Sequence, residues 1–88
     1  MQPSESLLEF PCDFPIKVLG LADRGFDSLV VAIIRRHAGD LREGAIASKA
    51  SRGGKYVSIT VTIQAASREQ VDRLYVELSS HERILMVL

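Results

Sequence analysis

One stretch of the chain, residues 56–64, alternates strictly between apolar and polar positions. Every second residue from 57 to 63 is valine or isoleucine, and the residues between them are serine and threonine. A period of two with β-branched residues is typical of a strand that has one buried and one more polar face. The pattern therefore predicts a central strand over residues 56–65, covered by helices on its apolar side.

A weaker pattern of the same kind comes near the start of the chain. Residues 16–21 predict a first strand. Ile16 and Val18 share the face expected to point inward. Lys17 and Leu19 share the opposite face, so this predicted first strand also has one apolar face and one face of mixed polarity.

Two segments instead have the spacing of helices. Apolar residues recur three and four positions apart from Phe26 to His37 and predict a first helix. Asp23 is its predicted N-cap, because a carboxylate there can accept bonds from free backbone N–H groups. Ser67 and Gln70 form a capping box that predicts the start of a second helix.

The remaining segments predict two outer strands. Residues 45–50 have little bulk, and Lys49 suits an exposed edge strand. Gly53 and Gly54 predict a hairpin turn into the central strand, because glycine accepts positive φ angles. Residues 83–88 predict a last strand that is apolar on both faces.

The order strand, helix, strand, strand, helix, strand predicts one α+β domain of the ferredoxin-like class. Right-handed connections place both helices on one face of a four-stranded antiparallel sheet in the order fourth, first, third, second. Residues 14–88 form this domain, and residues 1–13 are predicted to be an N-terminal arm. The arm carries Leu7, Leu8 and Phe10, which we expect to cover part of the core or of the open sheet face.

Composition narrows the classes of function. The chain has 88 residues with eleven acidic and eleven basic side chains, so its net charge is zero. That balance argues against a broad surface for nucleic acid or anionic membrane. Cys12 is the one cysteine, and no apolar run approaches the ~20 residues that span a bilayer. The N-terminus lacks the basic and apolar regions of a signal peptide, so a cytoplasmic location is expected.

Several blocks of the chain resemble the YbeD-like family of small bacterial proteins. They are Leu7-Leu8-Glu9-Phe10-Pro11, Arg36-His37-Ala38, Ser58-Ile59-Thr60, Leu74-Tyr75 and Met86-Val87-Leu88. The resemblance covers nearly the whole chain and implies the ferredoxin-like fold. The family has been likened to ACT regulatory domains, which bind small metabolites, and the resemblance implies no catalytic residue.

The loop that enters the first helix gives a candidate ligand site. Asp23, Arg24 and Gly25 look like the loop of ACT domains, although Arg24 stands where the ACT pattern has proline. A glycine there would let a ligand approach the N-terminus of the helix, whose free N–H groups favour a carboxylate. An ordinary helix start is the alternative interpretation.

Enzymes of this architecture need residues that the chain lacks. It contains no asparagine, which ferredoxin-like acylphosphatases use, and no Cys-x-x-Cys, which copper chaperones use. One cysteine with His37 and His81 makes no cluster of metal-ligand spacing. We therefore expect no catalytic residue, no cofactor and no metal.

The open sheet face gives a candidate interaction surface, formed by Lys17, Leu19, Thr60, Thr62 and Met86. Its single aromatic ring at the strand start offers little stacking for RNA bases. Two functions stay open: a regulatory or adaptor domain that binds a small metabolite in an ACT-like manner, and a protein-interaction module that uses this face or an edge strand. The partner is then an unknown protein, a metabolite, or a second copy of the chain.

Overall fold

The computed structural model describes residues 9–88. Leu7 and Leu8 of the predicted arm lie outside the described residues. The elements are β1 (Cys12–Leu21), α1 (Phe26–Ala38), β2 (Ile46–Ala50), β3 (Tyr56–Ala65), α2 (Arg68–Ser80) and β4 (Ile84–Val87). The strands form one antiparallel sheet in the order β2-β3-β1-β4, with both helices packed on one face. The predicted fold class and strand order are confirmed.

The core lies between the sheet and the two helices. The inward residues of β1 and β3 are directly opposite each other, with Ile16 beside Val61 and Val18 beside Ile59. The helices cover them with apolar side chains that are almost completely buried: Phe26, Val30, Ile33, Ile34, Val71, Leu74 and Leu78. The alternation seen in the sequence therefore separates a fully buried face from an exposed one.

β1 begins at Cys12, four residues before its predicted start. Cys12 and Asp13 pair with Ala65 and Gln64 of β3, so these two residues of the predicted arm belong to the sheet. Otherwise the division of the chain at residue 13 stays a prediction.

Pro15 lies within β1 without interrupting it, because the side of β1 to which its nitrogen points is not paired at this position. Lys17 exchanges both backbone hydrogen bonds with Leu88, which follows β4. Because backbone groups alternate in direction along a strand, the nitrogen of Pro15 points to the same side as that of Lys17. Within the described residues β1 has no partner beyond Leu88 on that side, so the N–H that proline lacks has no backbone acceptor to lose.

α1 is capped by Gly25 and not by the predicted Asp23. Gly25 has φ 80° and ψ 3°, and no side chain caps this helix. The carbonyl of Asp23 accepts the Phe26 N–H at 3.2 Å, so a tight turn precedes the helix and leaves the Asp23 side chain two positions too early. Glycine suits this cap because its φ is in the left-handed region.

α2 has the predicted cap. The Ser67 hydroxyl accepts the Gln70 N–H at 3.1 Å. The Gln70 side chain reaches back one residue further than a standard capping box, to the Ala66 N–H at 2.6 Å, and it also donates to the carbonyl of His37 at 2.9 Å. This one side chain thus joins the start of α2 to the end of α1.

A bulge in β4 decides which residues of the last strand face outward. Leu19 pairs with Met86 but the next residue, Gly20, pairs with Ile84, so Leu85 has no partner on β1. Ile84 is buried, whereas Leu85 and Met86 are 57% and 51% exposed. Two successive residues therefore point away from the core.

Candidate interaction surface on the open sheet face

The sheet face opposite the helices, here called the open face, is built by one set of alternating residues. It consists of the odd-numbered residues 13–21 of β1, the even-numbered residues 56–64 of β3, Ala47 and Lys49 of β2, and Met86 of β4. No described element packs against these side chains from outside.

All five residues of the predicted interaction surface lie on the open face. Lys17 is opposite Thr60, Leu19 is opposite Met86, and Thr62 is opposite Pro15. Leu19 and Thr60 are half-buried by their neighbours, and the other three are exposed. The predicted location is right; the role in binding stays a prediction.

The apolar part of the open face is continuous. Leu21 lies opposite Tyr56, and Leu19 lies two residues along β1 on the same face, beside Met86. These four residues form what we call the apolar corner. Leu21 and Tyr56 are each 40% exposed and Met86 is 51% exposed, although folding usually removes such side chains from water. The sequence placed the Tyr56 ring on this face but did not include it in the predicted surface, and it did not single out Leu21, whose position at the strand end gave no sign of its neighbours.

Beside the apolar corner lies a shallow cavity of about 180 Å³ between two lysines. We call it the two-lysine pocket, after Lys17 and Lys49. Leu19 and Tyr56 contribute apolar walls, and Ser58, whose hydroxyl donates to the Lys49 carbonyl at 3.5 Å, contributes a polar one. The Lys55 ammonium lies 5.5 Å from the centre of the Tyr56 ring, which adds a third cation at this end of the sheet.

The predicted ligand loop lies elsewhere, at the N-terminus of α1. Asp23 and Asp27 both line a cavity of about 210 Å³ there, and the Asp27 carboxylate accepts the Ser28 N–H at 2.9 Å. The Arg24 carbonyl accepts a bond from the Arg83 guanidinium at 3.2 Å. Two carboxylates beside the helix N-terminus oppose binding of an anionic metabolite. The loop's role stays a prediction.

A polar cluster joins the two helices on the other side of the molecule. Glu77 contacts both Arg36, by a salt bridge, and the His37 Nε2, at 2.7 Å. Both contacts join residues about 40 positions apart in the chain, so spacing within one helix does not predict them. Together with Gln70, which binds the His37 carbonyl, this cluster holds α1 against α2.

A groove at the start of β1 is lined by aromatic side chains. Phe10 and Phe14 contact α2 beside Val71 and Tyr75, around a cavity of about 510 Å³. The Phe14 and Tyr75 rings meet edge to face, with centroids 6.4 Å apart. Burial raises the pKa of the Tyr75 phenol, which donates to the carbonyl of Leu88 at 3.0 Å. Phe10 thus packs on the helix side of the sheet and not on the open face.

Comparison with known proteins places the chain in a family. A family model described as a protein of unknown function (DUF493) matches residues 5–88. The chain belongs to the DUF493 family. A UPF0250 protein of Janthinobacterium sp. (strain Marseille) is 47% identical over 88 residues, which is 100% of this chain and 97% of the relative. Another, from Nitrosomonas europaea, is 45% identical over 96% of this chain and 97% of its own length. A third, from Paraburkholderia phytofirmans, is 40% identical over 97% and 96%. The predicted YbeD-like resemblance is confirmed.

Neither the DUF493 description nor the names of these relatives state an activity or a ligand. Among residues 9–88, no three histidine, cysteine, aspartate or glutamate side chains form a group that could hold a metal ion. Within the same range no helix is long and apolar enough to cross a membrane. The candidate site of this DUF493 protein is therefore defined by its geometry alone.

Proposed function

We propose that this protein is a non-catalytic adaptor that binds another protein through the open face. The observation that carries the proposal is the apolar corner, where Leu21 and its opposite residue Tyr56 are each 40% exposed and Met86, opposite Leu19, is 51% exposed. Apolar patches of this kind, surrounded by polar groups, mark contact sites for other proteins. Here the surrounding groups are the threonines of β3 and Lys17 and Lys49.

The structure of the sheet itself favours this use. The central inward side chains of β1 and β3, such as Val18, Ile59 and Val61, are fully buried by the helices, so stability does not require apolar residues on the outward side. The open face also borders an edge strand, β2, whose five residues are all exposed. A partner could therefore bury the apolar corner without any change in the core.

The loop at Asp23, Arg24 and Gly25 gives less support to metabolite regulation. The carboxylates of Asp23 and Asp27 line its cavity. A thermal-shift assay against a panel of amino acids tests this alternative, because a ligand that binds the folded state raises Tm by mass action. A rise at millimolar concentration would favour the metabolite function.

Affinity capture from a lysate, with three forms of the full chain, tests the adaptor function. Met86→Glu places a charge in the apolar corner, and Val76→Glu is the matched control, because Val76 is 69% exposed on α2, away from the open face. We expect a partner that is retained equally by the wild type and Val76→Glu. Met86→Glu should lose it at least about tenfold, the effect of roughly 1.4 kcal/mol. Equal retention by Met86→Glu would refute the proposal.

A further inference from the structure

We infer that the partner places an acidic side chain in the two-lysine pocket. The inference rests on the proposed function, because it specifies the chemistry of the protein bound at the open face. The occupant is a segment in which aspartate or glutamate stands beside apolar residues. The acidic group enters between Lys17 and Lys49, and the apolar neighbours cover the apolar corner.

The positions of the two lysines carry the first step. Lys17 is opposite Thr60 and Lys49 is opposite Ser58, and these partners are two residues apart on β3. From the spacing of strands and residues in a sheet, the two lysine Cα atoms are about 12 Å apart. Their long side chains can therefore reach one carboxylate placed over β3 between them.

Lys17 and Lys49 have no ion-pair partner within the described part of the chain. The ion pairs within residues 9–88 involve arginine or histidine as the cation, and none includes Lys17 or Lys49. Among the described residues that form the open face, Asp13 has the one carboxylate side chain, and it lies 3.5 Å from an Arg42 nitrogen. The face thus has an excess of positive charge, although the whole chain has none.

The lining of the pocket favours a carboxylate over a phosphate. A phosphate carries up to two charges and three strong acceptor oxygens, and its sites often add a nest of backbone N–H groups to the cationic side chains. No arginine lines this pocket, and its walls include the aliphatic and aromatic surfaces of Leu19 and Tyr56. Such walls suit the carbon stem of aspartate or glutamate. A nucleic acid would gain only one stacking ring, Tyr56, on this face.

A second copy of the chain fits this surface less well. If two open faces packed together, the excess lysines of one would meet the excess lysines of the other. Like charges brought together at an interface cost free energy and suppress that pairing. An acidic segment instead gains from Lys17, Lys49 and the nearby Lys55 together.

Peptide selection tests the inference with the full chain. A displayed library of random twelve-residue peptides is selected on the immobilised protein, and the enriched peptides are measured by fluorescence anisotropy. We expect them to combine aspartate or glutamate with apolar residues. The double variant Lys17→Gln, Lys49→Gln should bind them about five- to twenty-fold more weakly, since each exposed ion pair contributes up to about 1 kcal/mol.

The matched control is Arg73→Gln, an exposed cation on α2, which should stay within about twofold of the wild type. A peptide with its acidic residue changed to the amide should lose the same affinity. The two losses should not add, because they remove the same interaction. Circular dichroism and thermal melting of each variant confirm that it is folded.

Each alternative has a distinct result. If Met86→Glu weakens peptide binding but the double variant binds as tightly as the wild type, the acidic-segment inference is overturned and the adaptor function stays in place. If neither Met86→Glu nor the double variant changes the affinity for the peptides, the adaptor function is overturned as well. A single-stranded oligonucleotide that binds the wild type and not the double variant would show a nucleic-acid site. Failure to enrich any peptide also counts against the inference, as does a dimer in light scattering that Met86→Glu dissociates.

Discussion

Ile59 and Thr60 are neighbours on β3, yet Ile59 is 1% exposed beneath the helices and Thr60 belongs to the open face. The same contrast separates Val18 from Leu19 on β1. The helix side is closed by two apolar helices, whereas the open side has apolar, hydroxyl and basic groups in contact with solvent. The comparison shows that the buried core lies on one side of the sheet, so the binding proposed for the other side would not disturb it.

The largest expected difference between the two faces of the sheet is in stability, and it can be tested at two adjacent residues. Ile59→Ala should reduce the free energy of unfolding by about 2–5 kcal/mol, because it leaves a cavity in a packed core. Thr60→Ala should change it by less than about 1 kcal/mol, because its side chain faces outward. Urea denaturation measures both. Similar losses from the two variants would break the distinction between the faces.

Gly20 tests how closely the helix side is packed. A Cβ atom at this position would lie 2.3 Å from Cζ of Phe26 and 2.9 Å from the Arg83 carbonyl oxygen. Gly20→Ala should therefore cost about 1–3 kcal/mol, the usual cost of overpacking. In a Phe26→Leu background the same substitution should cost less, because the ring that it meets is gone. An equal cost in both backgrounds would exclude the ring as the cause.

Gln70 tests how the covering helices are held together. Gln70→Ala removes a bond to the Ala66 N–H and another to the His37 carbonyl, and should cost about 1–2 kcal/mol. Gln70→Glu keeps an acceptor for Ala66 but loses the donor to His37, so its cost should be intermediate. Denaturation of both variants at neutral pH gives the comparison.

Tyr75 gives the helix side a dependence on pH. Since burial raises the pKa of its phenol, the folded state binds this proton more tightly than the unfolded state does. The contribution to stability is fully present below about pH 10 and is lost as pH rises through the folded pKa. Wild type should therefore lose stability relative to Tyr75→Phe above that pH. A constant difference between the two proteins would contradict this.

The smallest effect is expected on the open face. Met86→Glu should change the free energy of unfolding by no more than about 0.5 kcal/mol, because the side chain is already in water. Thermal melting beside the control Val76→Glu measures it. A large loss would show that the apolar corner supports the fold, and would remove the main support for the proposed function.

Regular patterns in the sequence were enough to predict most of the fold. The alternation of β3 and the pair Ser67 and Gln70 depend on residues close together in the chain, so they could be recognised from the sequence alone. The start of β1 was predicted too late, because the tolerance for Pro15 depends on where β4 ends. The contacts of Glu77 with α1 depend on how two helices pack, which spacing within one helix does not reveal.

The sequence predicted those residues of the candidate site that depend on local alternation, and it did not predict those that depend on how the strands pair. Lys17, Leu19, Thr60 and Thr62 follow from alternation in the two strands predicted to lie at the centre of the sheet. For Met86 the alternation gave no orientation, because a strand that is apolar on both sides has no preferred face. The pairing of Lys49 with Lys17 across β3 could not be predicted, since it depends on the register that brings β2 beside β3.

Leu85 is a surplus residue in the last strand. Without it, Ile84, Met86 and Val87 would meet Gly20, Leu19 and Val18 in unbroken succession. A protein shortened by that one leucine should keep the same ladder of pairs and the same interior. The additional residue adds an exposed apolar side chain at the edge of the sheet. The bulge therefore makes the strand less regular but enlarges the apolar area that another molecule could contact.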